Sequence, residues 1–120
     1  MAFKEVGTTS QKVTSVTYGD TTAQVNLQGP GALPGGTIQI TLTLKGAPGA
    51  TSGSVSTRGA RFTDDGTIVN IVGEGAWTTV GKHKWRIRQM ACASNGMILL
   101  TDGELDLATL SLNYKAYEWS

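Results

Sequence analysis

One cysteine, three prolines and one histidine are all that this chain of 120 residues offers of those types. Each scarcity excludes something. A lone Cys92 makes an intramolecular disulfide and a cysteine-based zinc site unavailable. A single His83 leaves no His pair at metal-ligand spacing and no H-E-x-x-H pattern. No Gly-x-Ser-x-Gly, P-loop or dinucleotide fingerprint is present. Charge of one sign is missing too. Ten Lys and Arg stand against nine Asp and Glu, for a formal charge of +1. That lacks the basic footprint of a nucleic-acid binder. No apolar run approaches the roughly 18 residues of a membrane-spanning helix, and the first residues carry no apolar signal core. The expectations are a reducing cytoplasm, no membrane, no nucleic acid and no cofactor.

Glycine, by contrast, is abundant at 16 residues, and it falls between segments rich in Thr, Val and Ile. β-Branched residues fit a pleated, half-buried surface, and no stretch keeps a 3.6-residue apolar period for three turns. The clearest strand is Thr37 to Leu44. Ile38, Ile40, Leu42 and Leu44 share one face and Thr37, Gln39, Thr41 and Thr43 the other. Thr22 to Leu27 repeats the pattern. Gln11 to Tyr18 reads as a strand with Val13 and Val16 on opposite faces. Glycine- and proline-rich loops run from Gln28 to Gly36 and from Gly46 to Gly53.

Ser54 to Phe62 is a further strand, and Asp64-Asp65-Gly66 a hairpin turn. Thr67 to Thr78 carries Val69 and Ile71 on one face and Ile68 and Val72 on the other, with Gly73 and Gly75 marking a bend. Val80-Gly81 turns the chain. Lys82 to Ala91 sets His83, Trp85, Ile87 and Gln89 against Lys84, Arg86, Arg88 and Met90. After Ser94-Asn95-Gly96, Met97 to Leu100 is a short strand ended by a turn at Thr101-Asp102-Gly103. Glu104 to Leu112 and Tyr114 to Trp119 complete eight or nine strands. Short connections favour antiparallel up-and-down order, and closing the sheet removes its edges. One domain spanning 1–120 is expected, a closed or nearly closed antiparallel barrel of about eight strands. A two-sheet sandwich is the alternative.

The second half carries Gly73-Glu74-Gly75 with Thr78-Thr79, then His83-Lys84-Trp85-Arg86-Ile87-Arg88, Ser94-Asn95-Gly96, Asp102-Gly103-Glu104-Leu105-Asp106-Leu107 and a final Tyr117-Glu118-Trp119. From Gly73 to Trp119 this resembles a group of small, uncharacterised bacterial and archaeal proteins with the same order of turns and aromatics. The resemblance implies no activity. In architecture the chain is similar to calycin-type barrels, meaning lipocalin-like binders and cofactor-free cyclases of the allene oxide cyclase type. It departs from the lipocalin pattern in having its first tryptophan at Trp77.

An eight-stranded barrel leaves room for side chains or one small ligand. The first functional expectation is therefore a pocket for a small, mostly apolar molecule. Ile40, Leu42, Trp77, Trp85 and Gln89 are its candidate lining, with Trp77 and Trp85 serving equally well as core. The second is a cofactor-free cyclase, isomerase or hydrolase in the same pocket, with Glu74 and His83 as acid–base groups and Tyr117 as hydrogen-bond donor. Glu74 between two glycines could equally sit on a solvent-facing bulge, and His83 at a strand end. The third is a homo-oligomer subunit with a filled core, suggested by apolar residues on both faces of Thr67 to Val72. Lys84, Arg86 and Arg88 could join Arg58 and Arg61 in an anion site, or form a solvated face opposite Glu104 and Asp106. Cys92 reads as a buried, inert thiol.

Overall fold

A computed structural model of the chain describes residues 2–33, 35–46 and 49–119. Eight strands follow one another: β1 (Phe3–Tyr18), β2 (Thr22–Gly29), β3 (Thr37–Lys45), β4 (Ser52–Phe62), β5 (Ile68–Gly81), β6 (Lys84–Ala93), β7 (Ile98–Asp106) and β8 (Ser111–Trp119). Each pairs antiparallel with the next, and β8 returns to β1 to close an up-and-down barrel. The closing seam runs from Phe3 opposite Trp119 to Lys12 opposite Ser111. The sandwich alternative is thereby excluded. Phe3 and Trp119 rings meet at the seam's outer end with centroids 5.8 Å apart. Among the described residues, no helix is long and apolar enough to cross a membrane.

Period-2 alternation decides which side chains fill the barrel. Val25, Leu27, Leu42 and Leu105 are almost wholly buried, and burying such a side chain contributes roughly 1.5–3 kcal/mol. On β5, Val69 and Ile71 point inward while Ile68 and Val72 stand exposed, as the sequence indicates. On β1 the outcome differs. Val13 and Val16 do not lie on opposite faces: a bulge between Val13 and Ser15 inserts one extra residue. Val13 is buried, and Val16 packs on the same core.

The second half also departs from the expected turns. Thr101-Asp102-Gly103 is no turn but the middle of β7, pairing with β6 and β8 on either side. Gly103 is needed there for close approach, since a Cβ would stand 2.5 Å from Tyr114 Cβ. A single strand therefore replaces the two expected between Met97 and Leu112, and the chain breaks only at 107–110. β5 likewise runs through Val80 and Gly81, and the turn falls on Lys82 and His83, with His83 at φ 61°. The expected hairpin turns at Asp65-Gly66 and Asn95-Gly96 both hold. Each has its glycine in the left-handed region, at φ 91° and 92°.

The topology gathers the β2–β3, β4–β5 and β6–β7 loops with the outer ends of β1 and β8 at one end of the barrel. The other four connections lie at the opposite end. The two ends are built differently. At the second end Trp77, Leu44 and Val55 pack with Val16, Ala50, Trp85 and Leu107. Trp77 Nε1 donates to the Lys45 carbonyl at 3.0 Å, so the large ring is buried with its one polar atom satisfied.

Candidate functional site

The first end is open. A cavity of about 90 Å³ enters the barrel there. Ile38 and Ile40 of β3, Ile71 of β5, Ile87 of β6, Leu99 of β7 and Leu112 of β8 give it an apolar wall. Leu33, Arg61, Asn95 and Met97 are also in its lining. Three of these belong to the mouth-end connections or border them, while Arg61 is the last inward residue on β4. Its Nη2 donates to the Gly35 carbonyl at 2.7 Å, which ties strand to loop.

The other polar groups are few and lie deeper. Thr57 and Gln89 are buried and joined directly, Thr57 Oγ1 donating to Gln89 Oε1 at 2.5 Å. That bond engages one lone pair of the amide oxygen, and the amide nitrogen of Gln89 has no partner among the described residues. Thr101 faces Gln89 across the β6–β7 ladder. Tyr114 stands one strand further on, beside Gly103. Its hydroxyl oxygen accepts from Gln11 Nε2 at 3.1 Å. Gln11 Nε2 also reaches the Pro30 carbonyl at 3.4 Å, while Gln11 Oε1 is buried without a partner. Burial pushes the Tyr114 hydroxyl up to about 12, so it remains a neutral donor.

Of the residues singled out in the sequence, Ile40 and Gln89 line this cavity. Leu42 is inward and fully buried, but below it in the packed core. Trp77 and Trp85 belong to the plugged end, which makes them core. Three expected acid–base residues lie elsewhere. Glu74 is exposed on the outer face, because Gly73 and Gly75 take the inward positions on either side of it. His83 is exposed in the β5–β6 turn, at the end opposite the mouth. Tyr117 points outward from β8, one position beyond inward Ala116. The structure does not bring Glu74, His83 and Tyr117 together.

Two further expectations are corrected by the same parity. Cys92 follows Arg86, Arg88 and Met90 on the outer face of β6 and is exposed, not buried. The basic residues do not assemble into one anion site. Arg86 meets Asp102 of β7 through two bonds, at 2.7 and 3.0 Å, and its guanidinium holds that carboxyl below the usual range. Lys84 reaches Glu104 at 3.8 Å. This is a solvated ladder of opposite charges, and Arg61 alone turns inward. Among the described residues, no group of three His, Cys, Asp or Glu side chains is placed to hold a metal ion.

The sequence reading missed Thr57, Tyr114 and Gln11, and named Arg61 only for an anion site with Arg58. Parity could have found the first two: Thr57 sits between inward Val55 and Gly59, and Tyr114 between inward Leu112 and Ala116. In comparison with known proteins, the chain matches no family model, no curated protein and no solved structure.

Proposed function

We propose that the barrel binds one small, mostly apolar molecule in its open-ended cavity. One observation carries this reading. A barrel plugged by tryptophan at one end keeps an apolar hollow at the other, with a few polar groups set into the wall. Ligand sites share that composition, apolar walls with few placed polar groups. The cavity is smaller than the dry engineered one of roughly 150 Å³ that takes up benzene, so the part of a ligand held inside it is at most one small ring. The calycin-like architecture, in which barrels hold ligands, is in keeping with it as analogy only. A cytoplasmic setting is proposed with it, the single exposed thiol having no second cysteine to pair with.

Native mass spectrometry of the protein purified from its host, followed by release of bound material, tests the reading. A stoichiometric small molecule is the expected result. Adding that molecule at a hundred times its Kd should then stabilise the fold by about 2.7 kcal/mol. Nothing bound, and no thermal shift with small apolar compounds, would defeat it.

Catalysis in the same cavity ranks below binding. Glu74 and His83 stand away from it, and the titratable side chains in its described lining are Tyr114 and Arg61. Self-association is a second reading with its own observation. Phe62, Ile68 and Val72 are exposed on the outer faces of the adjacent strands β4 and β5, which favours burial against a further copy. A concentration-dependent mass in sedimentation, lost in Ile68→Asp, would support it.

A further inference from the structure

The polar groups of the cavity wall are committed in an uneven way. Gln89 could offer both an acceptor and a donor, yet its oxygen is taken by Thr57. Tyr114 could do the same, yet its oxygen already accepts from Gln11. Each has one lone pair of its oxygen engaged and its hydrogen without a partner among the described residues. Gln11 fixes this arrangement. Turning its amide round would let Tyr114 donate to Oε1, but would set that oxygen against the Pro30 carbonyl, which now receives Nε2 at 3.4 Å and the Thr9 hydroxyl at 2.7 Å. The adopted orientation leaves Gln11 Oε1 unpartnered in the interior, a loss of the order of 1–3 kcal/mol. The Tyr114 proton, in turn, has no acceptor among the described residues.

Gln89 and Tyr114 flank β7 on one wall. Gln89 faces Thr101 across one ladder, and Tyr114 faces Gly103 across the other. The two stand two strands apart, with β7 between them, and both line the same cavity. The missing side chain of Gly103 lets Tyr114 lie close against β7. No carboxylate is among the described residues lining the cavity, and its one charged residue, Arg61, stands near the mouth and is bonded to Gly35.

We propose that the cavity selects a small neutral carbonyl compound, a ketone, aldehyde or lactone with an apolar body, whose oxygen accepts from the Tyr114 hydroxyl and the Gln89 amide. This rests on the barrel being a binding protein and adds the chemical class of its ligand. A hydrocarbon would leave both donors unsatisfied in a dry site. A carboxylate brought to the same depth would lose its hydration without a cation beside it.

Three probes of matched shape decide it: cyclopentanone, methylenecyclopentane and cyclopentanecarboxylate, titrated against the full chain and followed by the Gln89 side-chain amide signals in two-dimensional NMR. Cyclopentanone should bind about tenfold or more tighter than methylenecyclopentane. Tyr114→Phe and Gln89→Met should each weaken the ketone by about two- to tenfold and leave the hydrocarbon unchanged, so a folding defect would be recognised by its effect on both. Equal affinity for ketone and hydrocarbon would overturn the carbonyl assignment while leaving a binding barrel. Tightest binding by the carboxylate, lost in Arg61→Met, would overturn it in favour of an acid held at the mouth. Failure of all three probes to bind would remove the binding reading and this inference together.

Discussion

The two ends of this barrel are made by the same strands and the same alternation, yet one is solid and the other hollow. At the plugged end the inward positions hold Trp77, Trp85, Leu44 and Leu105, and Trp77 even finds a carbonyl for its ring nitrogen. At the open end Val69, Ile71 and Leu99 remain, but many inward positions of β4 to β8 are smaller or polar: Gly59, Gly73, Ala91, Ala93, Gly103 and Ala116, with Thr57, Gln89 and Tyr114 between them. The difference teaches that the volume of inward residues, more than strand count, decides whether a small barrel is a core or a container.

Substitutions at the two ends should therefore differ in cost. Trp77→Ala removes a large buried ring from packed surroundings and should destabilise by about 3–5 kcal/mol, read as a fall in the denaturant midpoint. A much smaller loss would mean the plug is not packed as described. The next effect concerns the cavity wall. Tyr114 titrates at about 12 when folded, against an ordinary value of 10.0. Its folded form thus holds a proton that the unfolded chain gives up first. Its contribution is whole below pH 10 and is lost as pH rises from there through 12, by roughly 2–3 kcal/mol in total. Tyr114→Phe should flatten the stability profile over that window, and an unchanged profile would place the hydroxyl in water.

Leu99→Ala should cost only about 1 kcal/mol, because one side of that residue already borders empty space. A cost equal to that of Trp77→Ala would erase the contrast between the ends. The smallest effect belongs to the mouth-end turn between β4 and β5. Thr63 Oγ1 and the Thr67 amide donate to Asp65, at 2.5 and 3.0 Å, and hold its carboxyl down at about 2 from 3.8. This stabilising contribution is present above pH 3.8 and fades as pH falls through 2. Asp65→Asn should remove a slight slope in that range, measured as thermal midpoint against pH.

What the sequence revealed of this, and what it hid, follows from the same alternation. β3 was legible because Ile38 to Leu44 alternate without interruption, and β5 because Val69 and Ile71 contrast with Ile68 and Val72. Closure was legible from strand number and short turns. Thr101-Asp102-Gly103 misled because an Asp-Gly pair signals a turn only when no neighbour demands a missing side chain, and here Tyr114 does. In the site, Ile40 and Gln89 were found because they share a face with obvious core residues. Glu74 and His83 drew attention as titratable groups, although chemistry of side chain carries no information about direction. Gly73 and Gly75 in inward positions already oblige Glu74 to face out. The donor arrangement around Gln11, Thr57 and Tyr114 spans β1, β4, β6 and β8, and nothing local in the chain announces it.

The bulge on β1 has a consequence for how this chain can change length. Strand by strand, the barrel reads its residues in twos, and Thr14 falls between Val13 and Ser15 as the odd member. Losing that single codon would restore alternation between Val13 and Val16 and, in doing so, turn one of the two out of the core. Most surface positions of a strand tolerate exchange of one side chain for another, but this one is held by its presence and hardly by its identity. Exchange of Thr14 for many other residues should pass unnoticed, and its deletion should not.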